Sequence, residues 1–517
     1  MKTSKMMTAR RLALASAAMA AFALTLSAAG AGSAQPFRAP GDRATFPWRD
    51  LTKELANKMT GTYTVASTGD LLFQEPADKR ISPAIRDVLK NADTTIGNLE
   101  GFLVDRRNWA GVNGYGNNWA PKEEAKALAD LGFDIVAPGE ADGGEAAQVS
   151  TMKWLEEAGI RRPGYGPNLS IARQPVFQEL PQGRVAAIAA FPIGAVASGP
   201  AARNKDGNDG NEEPGMNPVR LAVWNVVTAE QLEQLRGIRD SILARRNEPG
   251  LARPTDMPVD RPGRLVLLGK NYMVGPKPGV FHYEMNPNDL ESQILAVRNA
   301  KEYADFAIFT MHVHENRFAF QAYSQDHYPP DYLVELTHKL IDNGLDLYVG
   351  HGNHTMQGIE IYKGKPIFYN HGNFAVQRFG SDDSPPNPGK MTNIEEVEFG
   401  NDWLQQYVNL TAYVAQTKYQ DGKLAEIRIY PLDLGTDVSK TPWSRSSIPQ
   451  TPSPEVARKI LTDLQKWSEP FGTKISIENG VGVIRVPPSA TVPIGGDLDI
   501  PGRGPASKGG ASRLPTF

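Results

Sequence analysis

The sequence predicts an α/β protein, a sheet of buried strands alternating with amphipathic helices and finished by an antiparallel hairpin region. Two observations carry this. From Tyr63 onward, short apolar runs recur, each followed by a polar or glycine-rich loop and often by a segment of helical period. Late in the chain, "QYVNLTAYVAQTKYQDGKLAEIRIYPL" reads instead as two strands around an Asp421-Gly422 turn. Buried strands that alternate with amphipathic helices mean an α/β sheet.

The elements follow in order. Lys2, Lys5, Arg10 and Arg11 precede the apolar stretch "LALASAAMAAFALTLSAAGAGSA", and no acid occurs before Asp42. That is the layout of a secretory signal over residues 1–34, of the Sec or twin-arginine kind, with an uncleaved anchor as the alternative. The protein is therefore expected in the periplasm or outside the cell, and its membrane contact is expected only through this segment. Residues 35–62 are a polar approach in which "WRDLTKELANKM" forms a short helix. "TYTVASTGDLLF", "ADTTIGNLEG", "FDIVAPGEADGG" and "GRVAAIAAFP" are the first four strands. "PKEEAKALADLG" and "VSTMKWLEEAGI" are helices with glycine stops.

Residues 198–263 read as an insertion. It holds an aperiodic loop and a helix, "TAEQLEQLRGIRDSILARRN", with Thr228 and Gln231 as a capping box. "GRLVLLGKNY" is a strand, and "NDLESQILAVRNAKEYA" is a helix capped by Asn288 with Glu291. "DFAIFTMHVHE", "LDLYVGHGNH" and "KPIFYNHGNF" are strands, and "DYLVELTHKLIDNG" is the helix between the first two. The main domain spans 63–435. A C-terminal helix, "SPEVARKILTDLQKWS", and a last strand pair occupy 436–486, and a Pro/Gly/Ser-rich tail, 487–517, is expected to be disordered.

Composition narrows the chemistry. The net charge is −3, from 55 basic and 58 acidic residues, which argues against a nucleic acid or other polyanion held on a general basic surface. Cysteine is absent, so disulfides and thiolate ligands are excluded. A metal site would have to use His, Asp, Glu, Asn or backbone oxygens.

All eight histidines fall between His282 and His371. Several stand with carboxylates and amides at the ends of separate apolar runs: Asp70; Asn98 and Glu100; Glu140 and Asp142; His312 and His314; His351, Asn353 and His354; His371 and Asn373. Loops after strand C-termini in open α/β sheets converge on one crevice, so these positions can meet, and carboxylates with several imidazoles make a metal-ligand set. His312 and His314 are two apart, which places them on one face of a strand. The glycines around His351 permit a tight turn. A single strand-end histidine is more often a hydrogen-bonded structural residue than a ligand, so only the joint pattern points to a metal site. His338, His282 and His327 read as structural. The aromatic-rich "NRFAFQAYSQDHYPPDY" is either a substrate wall or packing.

These segments, "STGDLLF", "IGNLEG", "WLEEAGI", "TMHVHEN" and "LIDNGLDLYVGHGNHTMQGIEIYKGKPIFYNHGNF", resemble in order and spacing the CapA-type poly-gamma-glutamate (capsule) synthesis family of the calcineurin-like metallophosphatase superfamily. The resemblance covers about 63–435. It implies a four-layer α/β/β/α sandwich of metallophosphatase type with one or two divalent transition-metal ions, manganese, iron or zinc. It implies Asp70, Glu100, His312, His351 and His354 as metal ligands. It also implies Asn373 as the asparagine of the family's Gly-Asn-Phe motif.

The sequence departs from the family in places. The Asn-Asn-His expected after the third strand reads "APGEADGG", with Asp142 still in place. His-Trp-Gly reads "HVH", with Asn316 where a glutamate is expected. Gly352 and Asn353 replace a histidine and a proline. His314 and Glu140 are thus the candidate proton donors, with Glu140, His314 or His371 as substitute ligands. Asn98, Asn353 and Asn373 are the candidate substrate-binding residues. The implied function is metal-assisted hydrolysis of a phosphoester or related bond in capsule, poly-gamma-glutamate or another envelope polymer. Polymer synthesis or export machinery would be the partner. The alternatives are a non-catalytic polymer-binding or assembly protein, and a metal-dependent gamma-glutamyl or peptide amide hydrolase.

Overall fold

The computed structural model describes residues 50–76, 78–105, 119–139, 144–194, 202, 212–244, 261–317, 326–377, 409–436 and 448–486. The expected signal, Glu140, Asp142 and the tail from 487 lie outside the described residues.

The first three apolar runs form β1 (Thr62–Leu72), β2 (Thr94–Leu99) and β3 (Ile135–Pro138), paired in parallel. Helices α1 (Pro83–Lys90) and α2 (Glu123–Asp130) lie between them in the chain, and α3 (Gly144–Glu157) follows. A second sheet then begins with β4 (Val176–Leu180), β5 (Gly183–Ile193) and β6 (Pro218–Val227). After α4 (Ala229–Ala244) come β7 (Arg264–Leu267), β8 (Lys270–Val274) and β9 (Phe281–Met285). Helix α5 (Pro287–Tyr303), β10 (Phe306–His312), α6 (Asp331–Asp342) and β11 (Leu347–His351) follow, then the hairpin β12 (Ile359–Tyr362) and β13 (Lys365–Phe368). The order across this ten-stranded sheet is β7-β8-β6-β5-β10-β11-β13-β12, with β9 beside β6 and β4 beside β5. The chain returns to the first sheet through β14 (Asn373–Val376), β15 (Thr411–Gln420) and β16 (Lys423–Asp433). Helix α7 (Pro454–Ser468) and the last pair, β17 (Ser476–Glu478) and β18 (Val481–Arg485), complete the fold.

The two sheets face each other. Tyr63, Val65, Ile96 and Ile135 of the first meet Val185, Ala187, Phe306, Ile308, Leu347 and Val349 of the second in one buried core. Strand period 2 sends the alternate residues outward. Ala66, Leu71, Leu99 and Val136 pack instead on Ile85 and Leu89 of α1, Leu128 of α2 and Leu155 of α3. Helix α5 covers β5 and β10 of the second sheet. The layers are therefore helix, sheet, sheet, helix, the four-layer α/β/β/α sandwich expected. The closing antiparallel region is the β15–β16 hairpin with Asp421 and Gly422 at positive φ, as the turn requires.

Three local readings change. "GRLVLLGKNY" is two strands, β7 and β8, because Leu268 and Gly269 take positive φ and reverse the chain. Helix α5 is capped by Asn286, two residues earlier than expected, because Pro287 supplies a first-turn φ and the Asn286 side chain accepts from the amides of Asn288 and Asp289. Within 198–263, read as an insertion, β6 joins the second sheet parallel to β5. The Thr228–Gln231 capping box forms in both directions, at 2.9 and 3.1 Å. Among the described residues, no helix is long and apolar enough to cross a membrane.

Candidate metal centre

The strand ends of both sheets converge. In the first sheet Asp70 of β1 lies in register with Asn98 of β2 on one side and Asn373 of β14 on the other. In the second sheet His312 of β10 is in register with His351 of β11. The ladder is irregular at Asp70 in both of its pairings, which re-aims the side chain. Asp70, Glu100, His312, His351 and His354 are all buried to 2% exposure or less.

The hydrogen bonds assign the protons. Thr310 Oγ1 donates to the Val349 carbonyl at 2.8 Å, so its contact with His351 Nε2 at 2.9 Å must be accepted from the ring. His351 Nδ1 therefore carries a bare lone pair. Asn98 Nδ2 donates to Asp70 Oδ1 at 2.7 Å and to His312 Nδ1 at 3.0 Å. His312 Nδ1 is thus unprotonated, accepting from Asn98, and lies 3.1 Å from His351 Nδ1. The His312 proton sits on Nε2 and points at His314 Nε2, 2.8 Å away. Asn373 donates through Nδ2 to the Asn409 carbonyl, which turns its oxygen to His354 Nδ1 at 2.8 Å. The His354 proton is fixed on Nδ1, and bare Nε2 faces Glu100 Oε1 at 3.3 Å.

Two triads result, Asp70–His312–His351 and Asp70–Glu100–His354, whose candidate ligand atoms lie within 4.8 Å of one another. Asp70 belongs to both. A third group, Glu100–His312–His314, shares two of these residues. Burial, and then the neighbouring histidines, hold His312 and His351 well below the ordinary imidazole value, so both are neutral and need lose no proton to bind a cation. Burial alone pushes His314 down to about 4. Asn98 Oδ1 is buried with no hydrogen-bond partner. A buried set of convergent oxygens and bare imidazole nitrogens suits a divalent transition ion.

Glycine shapes the last loop. Gly352 has φ +101°, and a Cβ there would lie 2.6 Å from Val313 N. Its amide donates to both Asp70 oxygens, at 3.0 and 3.1 Å. The position that the resemblance gives to a histidine thus contributes a backbone donor to the shared carboxylate.

The other candidates separate cleanly. Asn98 lies at the centre, and Asn373 orients His354. The Asn353 side chain reaches the Asp326 carbonyl at 3.2 Å. His371 is not a substitute ligand. Its Nδ1–H donates to the Gly350 carbonyl at 3.2 Å, and its Nε2 accepts from Ser67 at 2.9 Å, so both nitrogens are used. His338 bonds Glu360, His282 bonds Asp331, and His327 stacks on Trp467 at 3.7 Å. Sequence reasoning missed Thr310 and Phe191. Phe191 lies parallel to the His312 ring at 5.7 Å. Both sit inside apolar runs, where only strand parity marks them.

The pattern of a family described as "Bacterial capsule synthesis protein PGA_cap" matches residues 64–378. The "Uncharacterized protein y4sH" of Sinorhizobium fredii is 33% identical over 466 residues, 84% of this chain and 96% of that protein. The "Capsule biosynthesis protein CapA" of Bacillus anthracis is 24% identical over 56% of this chain and 52% of its own. The "PGA biosynthesis protein CapA" of Bacillus subtilis is 36% identical over 20% of this chain and 23% of its own.

Proposed function

The chain belongs to the bacterial capsule synthesis protein family, and from that membership and its metal centre we propose that it is an exported metal-dependent hydrolase. Its substrate is a phosphoester or related bond of capsule, poly-gamma-glutamate or another envelope polymer, and it works beside polymer synthesis or export machinery. The observation that carries this reading is the pair of buried carboxylate–imidazole triads that share Asp70. Asp70, Glu100, His312, His351 and His354 hold one or two ions of manganese, iron or zinc. Such ions polarise a phosphoryl oxygen and lower the pKa of water. Asn98 and Gly352 fix the shared carboxylate, Thr310 and Asn373 fix the imidazoles, and Phe191 closes one side of His312. His314, whose ring centre is 4.6 Å from that of His312 and 5.6 Å from that of His354, is the proton carrier. Glu140 is the other candidate.

A second reading, polymer binding or assembly without catalysis, draws support from Gly352, which has no side chain at the position where the family resemblance expects an imidazole. Turnover of p-nitrophenyl phosphate and bis(p-nitrophenyl) phosphate separates the two. The first reading expects hydrolysis with added metal that His354→Ala abolishes. It also expects a loss of about 10²–10⁴-fold in kcat for His314→Gln with metal retained. Polymer binding that persists in His354→Ala with no turnover in the wild type supports the second. Glutamate released from poly-gamma-glutamate would replace both with amide hydrolysis.

A further inference from the structure

Arg162 follows α3, in a stretch that crosses from one sheet to the other. Arg161 bridges to Ile135 of β3 in the first sheet. Gly164 lies against Ala189 of β5 in the second, where a Cβ would fall 2.7 Å from the Ala189 side chain. The Arg162 side chain is buried within this crossing. Its Nη2 donates to Gln148 Oε1 of α3 at 2.5 Å. Its Nε and Nη1 are buried with no hydrogen-bond partner. Among the described residues no carboxylate pairs with it. Burial pushes the guanidinium down to about 10, which still leaves it charged at neutral pH.

Buried arginine is almost always paired, because a desolvated guanidinium with open N–H groups is costly. A second orphan stands beside it. The Arg162 guanidinium lies 5.8 Å from the centre of the Tyr165 ring, and Tyr165 Oη is also buried with no partner. The Tyr165 ring packs with Phe191 and Met216, and Phe191 is the ring stacked on His312. The two open donors are thus joined to the metal centre through one aromatic side chain. Nη2 is taken by Gln148, so the free Nε–H and Nη1–H lie on opposite sides of the guanidinium, and one of them can meet a single oxyanion together with the phenol O–H.

We propose that Arg162 and Tyr165 form an anion subsite beside the metal centre that takes one oxyanion of the substrate, a phosphate or a carboxylate group. The inference rests on the hydrolase reading for the use of the subsite, while the anion binding itself stands apart from any metal.

The test is calorimetric titration of chelator-treated protein with inorganic phosphate and, separately, with glutarate. It uses the wild type, Arg162→Gln, Arg162→Lys and Tyr165→Phe. The expected result is saturable binding of at least one anion, weakened tenfold or more in Arg162→Gln and several-fold in Arg162→Lys and Tyr165→Phe. A preference for phosphate assigns a phosphoryl substrate, and a preference for glutarate assigns a polymer carboxylate. Wild-type protein that binds neither anion overturns the proposal, as does binding unchanged in Arg162→Gln. If Arg162→Gln fails to fold, unchanged binding in both Arg162→Lys and Tyr165→Phe overturns it. Metal content read on the same proteins before chelation separates the two ideas. Anion binding that needs Arg162 in a protein that never held metal removes the hydrolase reading and keeps the subsite. Bound metal with Arg162-independent anion binding does the reverse.

Discussion

Gly352→Ala tests how the loop after β11 is held. Two costs can be read from the coordinates. The residue has φ +101°, and a non-glycine residue held in such a sparsely populated region costs about 1–3 kcal/mol. The added methyl would lie 2.6 Å from Val313 N, 3.0 Å from Val313 O and 3.1 Å from His312 Cδ2. Two of those three atoms are backbone, so relief means moving the chain that carries His312. Overpacking of this kind costs about 1–3 kcal/mol. The sum is about 2–6 kcal/mol, a large part of the roughly 5–15 kcal/mol of a typical domain. The shift also pulls the Gly352 amide away from Asp70, so metal affinity falls together with stability. Urea unfolding followed by tryptophan fluorescence, at unchanged m value, gives the first quantity, and metal per protein after dialysis gives the second. A Gly352→Ala protein within about 0.5 kcal/mol of wild type and fully metallated would mean that the loop tolerates a side chain there and that Gly352 does not hold Asp70.

Other expectations follow from named contacts. Thr310→Val removes the acceptor that fixes the His351 proton on Nε2, and metal affinity should fall about 10–100-fold in a competition titration with little loss of fold. His371→Ala should keep the wild-type metal stoichiometry while losing about 2–4 kcal/mol, because it leaves Ser67 and the Gly350 carbonyl without their partner. Asp346 is buried, and burial alone would raise its pKa, but Lys365 and Lys301 outweigh that and hold it below 3.8. Its stabilising contribution is therefore complete above the ordinary carboxylate value and is lost as pH falls through the depressed one. Asp346→Asn should cost about 3–5 kcal/mol at pH 7, a gap that unfolding curves should show closing only below pH 3.8.

Much of the candidate centre is legible in the sequence because its residues sit at or just after strand ends. Asp70, Glu100, His312, His351 and His354 interrupt apolar runs, and parallel sheets carry such residues to one edge. The supporting contacts are less legible. Thr310 and Ser67 lie within strands, and nothing local says that their hydroxyls face an imidazole. His371 has the same residue type and the same strand-end setting as the candidate ligands, and only its contacts with the Gly350 carbonyl and Ser67 separate it from them. The β7–β8 turn hides in "LLGK" because leucine is not a usual turn residue, and Leu268 takes positive φ with Gly269. Arg162 follows a helix in an unremarkable "GIRRPG", and its burial comes from the crossing between two sheets, which no sequence window contains.

The function proposed for this cluster depends on its holding metal. Inductively coupled plasma mass spectrometry on protein from residue 35, purified without chelator, measures it directly beside a His351→Ala/His354→Ala double variant. The wild type should hold one or two equivalents of manganese, iron or zinc, and the variant should lose that metal. A wild-type protein that holds no metal even after reconstitution with all three would contradict it.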